Sequence, residues 1–266
     1  ATVTTSENHN LLFDDEIVVN CLPNIEKSLP VFYNQENKKF AVGKFDIVHA
    51  DINPKFNTIT INNHGLQNEQ TVIFESDVPP GGLVSNGVYK VSIVSKNKIK
   101  LLLPNNGGIV DIANQSTGRL ILVNPPIELV KNKTLTFDVS DFSLSYVRNN
   151  IRYSAFKLKF FRDRELKHQF LSSGKDGDLS VIETGKLGID INATVKLKYD
   201  NEFPEKLYYN LEPIKNPQVP VSFSLSSLDL DNKNAINFID SRISGSFNVK
   251  KPTDTTFSYR LFDEPD

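Results

Sequence analysis

Short apolar runs alternate with clusters of turn-forming residues along most of the chain. Between positions 58 and 103 these runs are "TITI" (Thr58–Ile61), "TVIFES" (Thr71–Ser76), "VYKVSIVS" (Val88–Ser95) and "IKLLL" (Ile99–Leu103). They are rich in β-branched residues, which favour strands, and the Asn, Gly and Pro residues between them suit tight turns. Four strands in about fifty residues predict a small β-barrel or meander.

A period of two also governs the second half of the chain. Apolar and polar residues alternate in "YSAFKLKFF" (Tyr153–Phe161), "NATVKLKYD" (Asn192–Asp200) and "KLYYNLEP" (Lys206–Pro213). Turn signals recur about every ten residues, which is typical of an antiparallel, Ig-like β-sandwich. The one helical candidate, "FRDRELKHQF" (Phe161–Phe170), is interpreted as a turn or a single helical turn. The predicted fold class is all-β, with small β-barrel and β-sandwich modules in tandem and very little helix.

Proline clusters at Pro125-Pro126 and at positions 217–220 mark the expected boundaries. They divide the chain into a small β module (1–50), a barrel-like β module (51–124), an Ig-like sandwich (125–215) and a C-terminal β module (216–266). The chain contains no methionine, which indicates a processed or excised piece. The strand-like ending "RLFDEPD" leads us to expect a further unit after it.

One phrase occurs twice near the start of the chain. "NHGLQNEQTVIFES", which begins at Asn63, repeats the order of "NHNLLFDDEIVVNC", which begins at Asn8. Internal similarity at a period near fifty predicts tandem modules. Residues 8–42 and 63–102 are therefore expected to fold alike. In that arrangement His9 and His64 occupy matching strand ends, and each following leucine, Leu11 or Leu66, points into its own small core.

The string "NHGLQNEQTVIFES…PPGGLVSNGVYKVSIVSKNKIKLL" resembles a His-Gly-Leu module common in phage tail and baseplate proteins. It departs from that module at Asn68-Glu69, where Gly-Asp is usual, and at Tyr89-Lys90, where a second aromatic residue is usual. The later strings "TLTFDVSDFSLSY", "KLYYNLEP" and "SRISGSFNV…TTFSYRLFDEPD" resemble adjoining modules of large, repeat-built virion proteins from contractile-tailed phages of marine bacteria. The resemblance covers most of the chain and implies a structural role in a baseplate or tail fibre, without catalysis.

Charge and composition exclude several classes of partner. The net charge of −2 provides no basic face for nucleic acid, and no apolar stretch has the length of a transmembrane helix. The single cysteine, Cys21, permits no internal disulfide, and its apolar neighbours predict a buried, inert thiol.

The four histidines and the acidic clusters are the residues of this sequence most suited to metal binding or catalysis. His9, His49, His64 and His168 lie in separate units without metal-ligand spacing, so His64 is expected to pack beside its turn and to hydrogen-bond backbone at a strand end. Asp176 and Asp178 have two interpretations, a calcium-binding loop or a plain hairpin turn. Asp14–Glu16 likewise has two, paired carboxylates for glycoside cleavage or a solvated strand edge. The sequons at Asn114, Asn132 and Asn192 are expected by chance. We predict no catalytic, cofactor-binding or metal-binding residue.

These observations predict a non-enzymatic segment of a phage virion, located in the tail or baseplate and acting as a scaffold or spacer. Its expected partners are other virion proteins, with self-association left open. A stalk module of a bacterial surface adhesin is one alternative. A carbohydrate-binding module that contacts host glycans is another, although the absence of tryptophan argues against sugar stacking.

Overall fold

The computed structural model describes residues 2–4, 10–19, 28–105, 107–130, 133–170, 181–198, 206–214, 235–239, 245–249, 252–253 and 256–258. These residues form 21 strands: β1 (Thr2–Thr4), β2 (Glu16–Val19), β3 (Ser28–Asn34), β4 (Lys39–Ile47), β5 (Ile52–Asn53), β6 (Thr58–Thr60), β7 (Thr71–Glu75), β8 (Gly87–Ser95), β9 (Lys98–Leu102), β10 (Gly118–Val123), β11 (Ile127–Val130), β12 (Thr134–Asp138), β13 (Ser145–Arg148), β14 (Ile151–Ser154), β15 (Phe156–Phe161), β16 (Val181–Thr184), β17 (Thr194–Lys198), β18 (Lys206–Pro213), β19 (Ala235–Ile239), β20 (Gly245–Asn248) and β21 (Thr256–Ser258).

The predicted all-β class is confirmed. Helical structure among the described residues is limited to three 3-10 turns, at His49–Asp51, Pro54–Phe56 and Phe142–Leu144. The segment 161–170 forms bends and a turn, as its sequence predicted, because the Leu166 N–H bonds the Asp163 carbonyl at 3.2 Å and no helical ladder follows. No helix in the described ranges is long and apolar enough to cross a membrane.

One sheet of eleven strands organises the molecule, in the order β16-β17-β12-β3-β4-β10-β7-β8-β9-β6-β5. The part from β4 to β5 curls around a core to which every one of its strands contributes. Because Ile47 of β4 and Ile52 of β5 belong to the same cluster, the two ends of this part face one interior. We call this cluster the curled-sheet core; its members are Ile47, Ile52, Ile59, Ile61, Leu66, Val72, Phe74, Leu83, Tyr89, Val91, Ile99, Leu101, Val110, Ile112 and Leu120.

The other part of the large sheet packs against a second sheet with the order β11-β19-β18-β15. Their facing side chains form the sandwich core, which includes Val31 and Tyr33 of β3, Phe137 of β12, Phe156 of β15 and Tyr209 of β18. Aromatic rings meet across it: the centroids of Tyr33 and Phe156 lie 4.6 Å apart, and Phe137 lies 5.8 Å from both Phe160 and Tyr209. The core is therefore closed by large rings from both layers.

Strand β4 belongs to both cores. Phe40 and Val42 point into the sandwich core, whereas Ile47 belongs to the curled-sheet core and Phe45 packs against that core. Even and odd residues of a regular strand face opposite sides, so a local irregularity is required between them. Gly43 provides it with a φ of +85°, where β4 carries one more residue than its partner β10 between paired positions. This bulge keeps both halves of β4 facing inward.

The division into four units stays a prediction, but three strand pairings join strands from different predicted units. β3 pairs in parallel with β12, and β19 pairs in parallel with β11, so strands from outside 125–215 complete the sandwich. β2 pairs with β20, whereas β7, its counterpart in the repeated phrase, pairs with β8 and β10. The two phrases therefore differ in strand pairing, although both precede hairpins, β3–β4 and β8–β9. His9 and the second proline boundary, at positions 217–220, lie outside the described residues.

Candidate functional site

His64 lies in the segment between β6 and β7 and is 7% exposed. Its Nδ1 accepts a hydrogen bond from the Leu66 N–H at 3.0 Å, and its Nε2 lies 2.9 Å from the carbonyl oxygen of Ser95. A backbone N–H can only donate and a carbonyl can only accept, so these partners assign the neutral tautomer with its proton on Nε2. Ser95 ends β8, so the expected bonding of backbone at a strand end is confirmed.

The remaining histidines do not join His64. His49 is exposed on a 3-10 turn, and His168 is exposed with its Nδ1 3.1 Å from the Asp163 carboxylate. Within the described part of the chain, no group of three or more His, Cys, Asp or Glu residues is placed to hold a metal ion. Cys21, Asp176, Asp178 and Asn132 lie outside the described residues.

The acidic run Asp14–Glu16 forms part of a turn and the start of a strand. Asp14 has a φ of +71°, and the Asp15 carboxylate accepts the Leu12 N–H at 2.7 Å. Backbone bonds join this turn to Val249, which receives the Asp14 N–H and donates to the Asp15 carbonyl. The Asp15 carboxylate is therefore engaged in holding local backbone.

Two of the three asparagines that begin Asn-x-Ser/Thr sequons are in the described part of the chain. Asn192 is exposed, and the Asn114 side chain accepts the Gly81 N–H at 2.7 Å.

A half-open cleft of about 350 Å³ separates the two cores. Its apolar walls include Leu29, Leu122, Leu135 and the Pro125-Pro126 pair, and its polar residues include His64, Gln67, Gln70 and Glu128. This volume falls within the range of small-ligand pockets, which are common between packed units.

Two buried amides, of which Gln70 lines the cleft, have side-chain atoms without a hydrogen-bond partner among the described residues. The Gln70 side-chain oxygen accepts the Gln67 N–H at 3.3 Å, which leaves its Nε2 as the donor, and this donor has no partner among the described residues. The Asn124 side-chain oxygen likewise has none. Gln70 lines the cleft, whereas Asn124 follows the end of β10 with a φ of +42° and is not part of the cleft wall.

The linker into the sandwich is held by a buried tyrosine. Tyr209 is fully buried in the sandwich core, and its hydroxyl donates to the carbonyl of Pro125. Burial raises the pKa of this phenol well above its ordinary value, because the charged form would lose its hydration. One wall of the cleft is therefore fixed to the second sheet.

Comparison with protein-family models, with curated proteins and with solved structures gave no significant match.

Sequence reasoning identified the bonding role of His64 but missed the cleft and the two amides. Leu122 and Leu135 lie in different predicted modules, so nothing local in the sequence brings them to one cavity. The double proline was the available signal, since it marks the place where the chain passes from one core to the other.

Proposed function

We propose that this chain is a non-enzymatic structural segment of a phage virion, located in a baseplate or tail fibre, where it acts as a scaffold or spacer. The observation that carries the proposal is the sharing of β4 by two cores. Modules joined by a flexible linker can rotate against each other, whereas a common hydrogen-bonded strand resists this movement. A spacer that sets distances between other proteins needs that resistance.

Two features support a rigid junction. β4 bonds to β3 through Lys39–Val42 and to β10 from Ala41 to Ile47, so the β10 ladder lies on both sides of Gly43, where β4 passes from one core to the other. The Tyr209 hydroxyl additionally binds Pro125 directly before β11 begins. The sequence resemblance to tail and baseplate modules supplies the virion setting.

The location is tested by mass spectrometry of purified particles against purified cell envelopes, both from cultures that express the encoding gene. Peptides of this chain should be enriched in particles that carry tails and depleted in tailless particles. Enrichment in envelopes would favour the adhesin stalk and would overturn the proposal.

The non-enzymatic part is tested separately. The purified chain, incubated with polysaccharide, peptidoglycan and peptide substrates, should release no product above buffer. Turnover that a single acidic-to-amide substitution abolishes would contradict it. A glycan array covers the carbohydrate-binding alternative, and saturable binding to one glycan class would support that alternative instead.

A further inference from the structure

The outer face of the sheet β11-β19-β18-β15 carries a buried amide whose oxygen is unsatisfied. Asn210 of β18 is 6% exposed, and its side-chain oxygen has no hydrogen-bond partner among the described residues. Its neighbours in the strand, Tyr209 and Leu211, belong to the sandwich core, so the Asn210 side chain points away from that core. Buried polar atoms normally find partners, and this oxygen therefore calls for a donor.

A lysine lies directly opposite this amide. Lys159 of β15 is the antiparallel partner of Asn210 in the ladder between β15 and β18. Side chains at such paired positions share a face, and their Cβ atoms lie about 4.5–5.5 Å apart. The long side chain of Lys159 spans this gap, so rotation about its own bonds brings Nζ to Cγ of Asn210.

A carboxylate adjoins both groups. Glu212 follows Asn210 by two positions, so its side chain lies on the same face of the sheet. Its Oε2 is 2.7 Å from Nζ of Lys159, a distance suited to direct proton transfer. The side chains of Lys159 and Glu212 are 28% and 35% exposed, which leaves one side of the group open to solvent. An amine, a carboxylate and a buried amide thus meet on one face.

We propose that Lys159 and Asn210 form an intramolecular isopeptide bond, with Glu212 as the acid–base group. Glu212 takes a proton from the Lys159 ammonium, and the resulting carboxylic acid donates its O–H to the unsatisfied oxygen of Asn210. The neutral Nζ then attacks Cγ of Asn210 with its lone pair.

The step needs no further reactant. The Nζ–Cγ bond forms and the Cγ–Nδ2 bond of Asn210 breaks. Nδ2 leaves as ammonia, with its own two hydrogens and one that Glu212 relays from Nζ. The proton first taken from the ammonium passes to the released ammonia, so Glu212 ends as a carboxylate and ammonium diffuses out through the open side.

A second lysine–asparagine pair lacks the unsatisfied oxygen. Lys39 of β4 is the antiparallel partner of Asn34 of β3, and Asn34 is 8% exposed. The Asn34 side-chain oxygen, however, accepts the backbone N–H of Asn37 at 2.9 Å and its side-chain NH₂ at 3.1 Å. No acid can donate to it without displacing these bonds, so this pair should stay unlinked and is an internal control.

The isopeptide bond does not depend on the virion role, because it is measured as a mass and the location is measured by fractionation. The whole chain is folded, incubated at neutral pH, unfolded again and weighed by mass spectrometry. Its mass should fall below the sequence mass by one ammonia. A tryptic digest should then contain one branched peptide that joins Lys159 to Asn210, whereas Lys39 and Asn34 should be recovered in linear peptides.

Three variants assign the roles. Lys159→Arg keeps a positive charge beside Glu212 but has no lone pair to attack with, because a guanidinium stays protonated in proteins, so the loss of ammonia at this site should disappear. Lys157→Arg is the matched control, since exposed Lys157 lies two positions away on the same face, and it should cross-link like the unsubstituted chain. Glu212→Gln should slow the reaction at least ten-fold. If Glu212→Gln does not fold, the two arginine variants decide the result.

Three results would overturn the proposal. One is the full sequence mass in the folded, incubated chain. Another is a loss of ammonia confined to linear peptides, as cyclisation of an asparagine to a succinimide would give, or one that persists at Asn210 in Lys159→Arg. The third is equal cross-linking of Lys39 to Asn34, which would remove the role of the unsatisfied oxygen.

Discussion

The phenol of Tyr209 donates a hydrogen bond to the carbonyl of Pro125, across 84 positions of sequence. This bond fixes the start of the sandwich to its second sheet at the wall of the cleft. Tyr209→Phe keeps the ring but leaves the buried carbonyl without its donor, so we expect the free energy of unfolding to fall by about 1–3 kcal/mol. Urea denaturation measures the change.

Tyr208→Phe is the matched control, because Tyr208 is the neighbouring residue of β18 and is only half-buried. Its effect should stay within about 0.5 kcal/mol, as for most surface changes. Equal losses in the two variants would show that the Pro125 bond adds nothing.

Stability should fall at alkaline pH. Burial raises the pKa of Tyr209 well above 10.0 and also raises that of Tyr33. The unfolded chain therefore releases these phenolic protons at a lower pH than the folded chain does, so the unfolded state binds fewer protons and the free energy of unfolding decreases as pH rises above 10.0. Urea titrations between about pH 9 and pH 11 measure the slope, which Tyr209→Phe should reduce. A flat profile in the unsubstituted chain would contradict this.

The repeated phrase yields a pair of variants with different expected costs. His64→Gln retains a hydrogen-bonding group beside Leu66 and Ser95, so it should lower the free energy of unfolding by only about 1 kcal/mol. Leu66 is 6% exposed in the curled-sheet core, so Leu66→Ala should cost about 2–4 kcal/mol through the cavity it leaves. Thermal melts compare the two. A larger loss for His64→Gln would assign the imidazole a role beyond its two backbone bonds.

The two cores should unfold in one transition, because β4 cannot leave one without disturbing the other. The chain contains no tryptophan, so a single introduced tryptophan reports its own surroundings. Phe45→Trp, beside the curled-sheet core, and Tyr208→Trp, in the sandwich, both replace half-buried rings. The two fluorescence transitions in urea should coincide with each other and with circular dichroism. Separate midpoints would indicate independent units and would remove the main support for a rigid spacer.

Asp163 should hold its loop less firmly in acid. Its carboxylate accepts the Lys167 N–H at 3.0 Å and the His168 N–H at 2.6 Å. The Lys167 bond, followed by the bonds to and charge of His168, lowers the pKa of this carboxyl from 3.8. Its contribution is therefore present above that pH and is lost as the pH falls through the lowered value.

Amide hydrogen exchange at Lys167 and His168 measures this effect. After correction for intrinsic rates, protection of both amides should drop at low pH, and Asp163→Asn should lower it already at neutral pH. Glu165→Gln, an exposed carboxylate in the same loop, is the control and should leave protection unchanged.

Local patterns were enough to predict the all-β class and strands such as β6–β9, β15, β17 and β18, because alternation and turn residues act over a few positions. Asn57, Asn63 and Asn86, for example, each adopt a positive φ at a chain reversal, as Asn does readily. The bonding of His64 was also accessible, since a buried imidazole beside a turn needs partners. What no local pattern encodes is the choice of partner strand: β3 and β12 are joined by complementary apolar faces, not by adjacency. The cleft follows from that choice and was therefore missed as well.

The parallel pairing of β3 with β12 has a consequence for synthesis. About 100 residues separate the end of β3 at Asn34 from the start of β12 at Thr134. Because protein synthesis adds about 5–20 residues per second, the edge of β3 stays unpaired for roughly 5–20 s before β12 has been made. Some apolar side chains of β3 and β4 stay exposed for longer still, until Tyr209 and the rest of β18 have been made and can cover them. They are Val31, Tyr33, Phe40 and Val42. The hairpin on which both cores depend is thus an apolar surface that nascent chains expose until β12 and β18 have been made, and it is a surface at which a chaperone would bind and aggregation would begin.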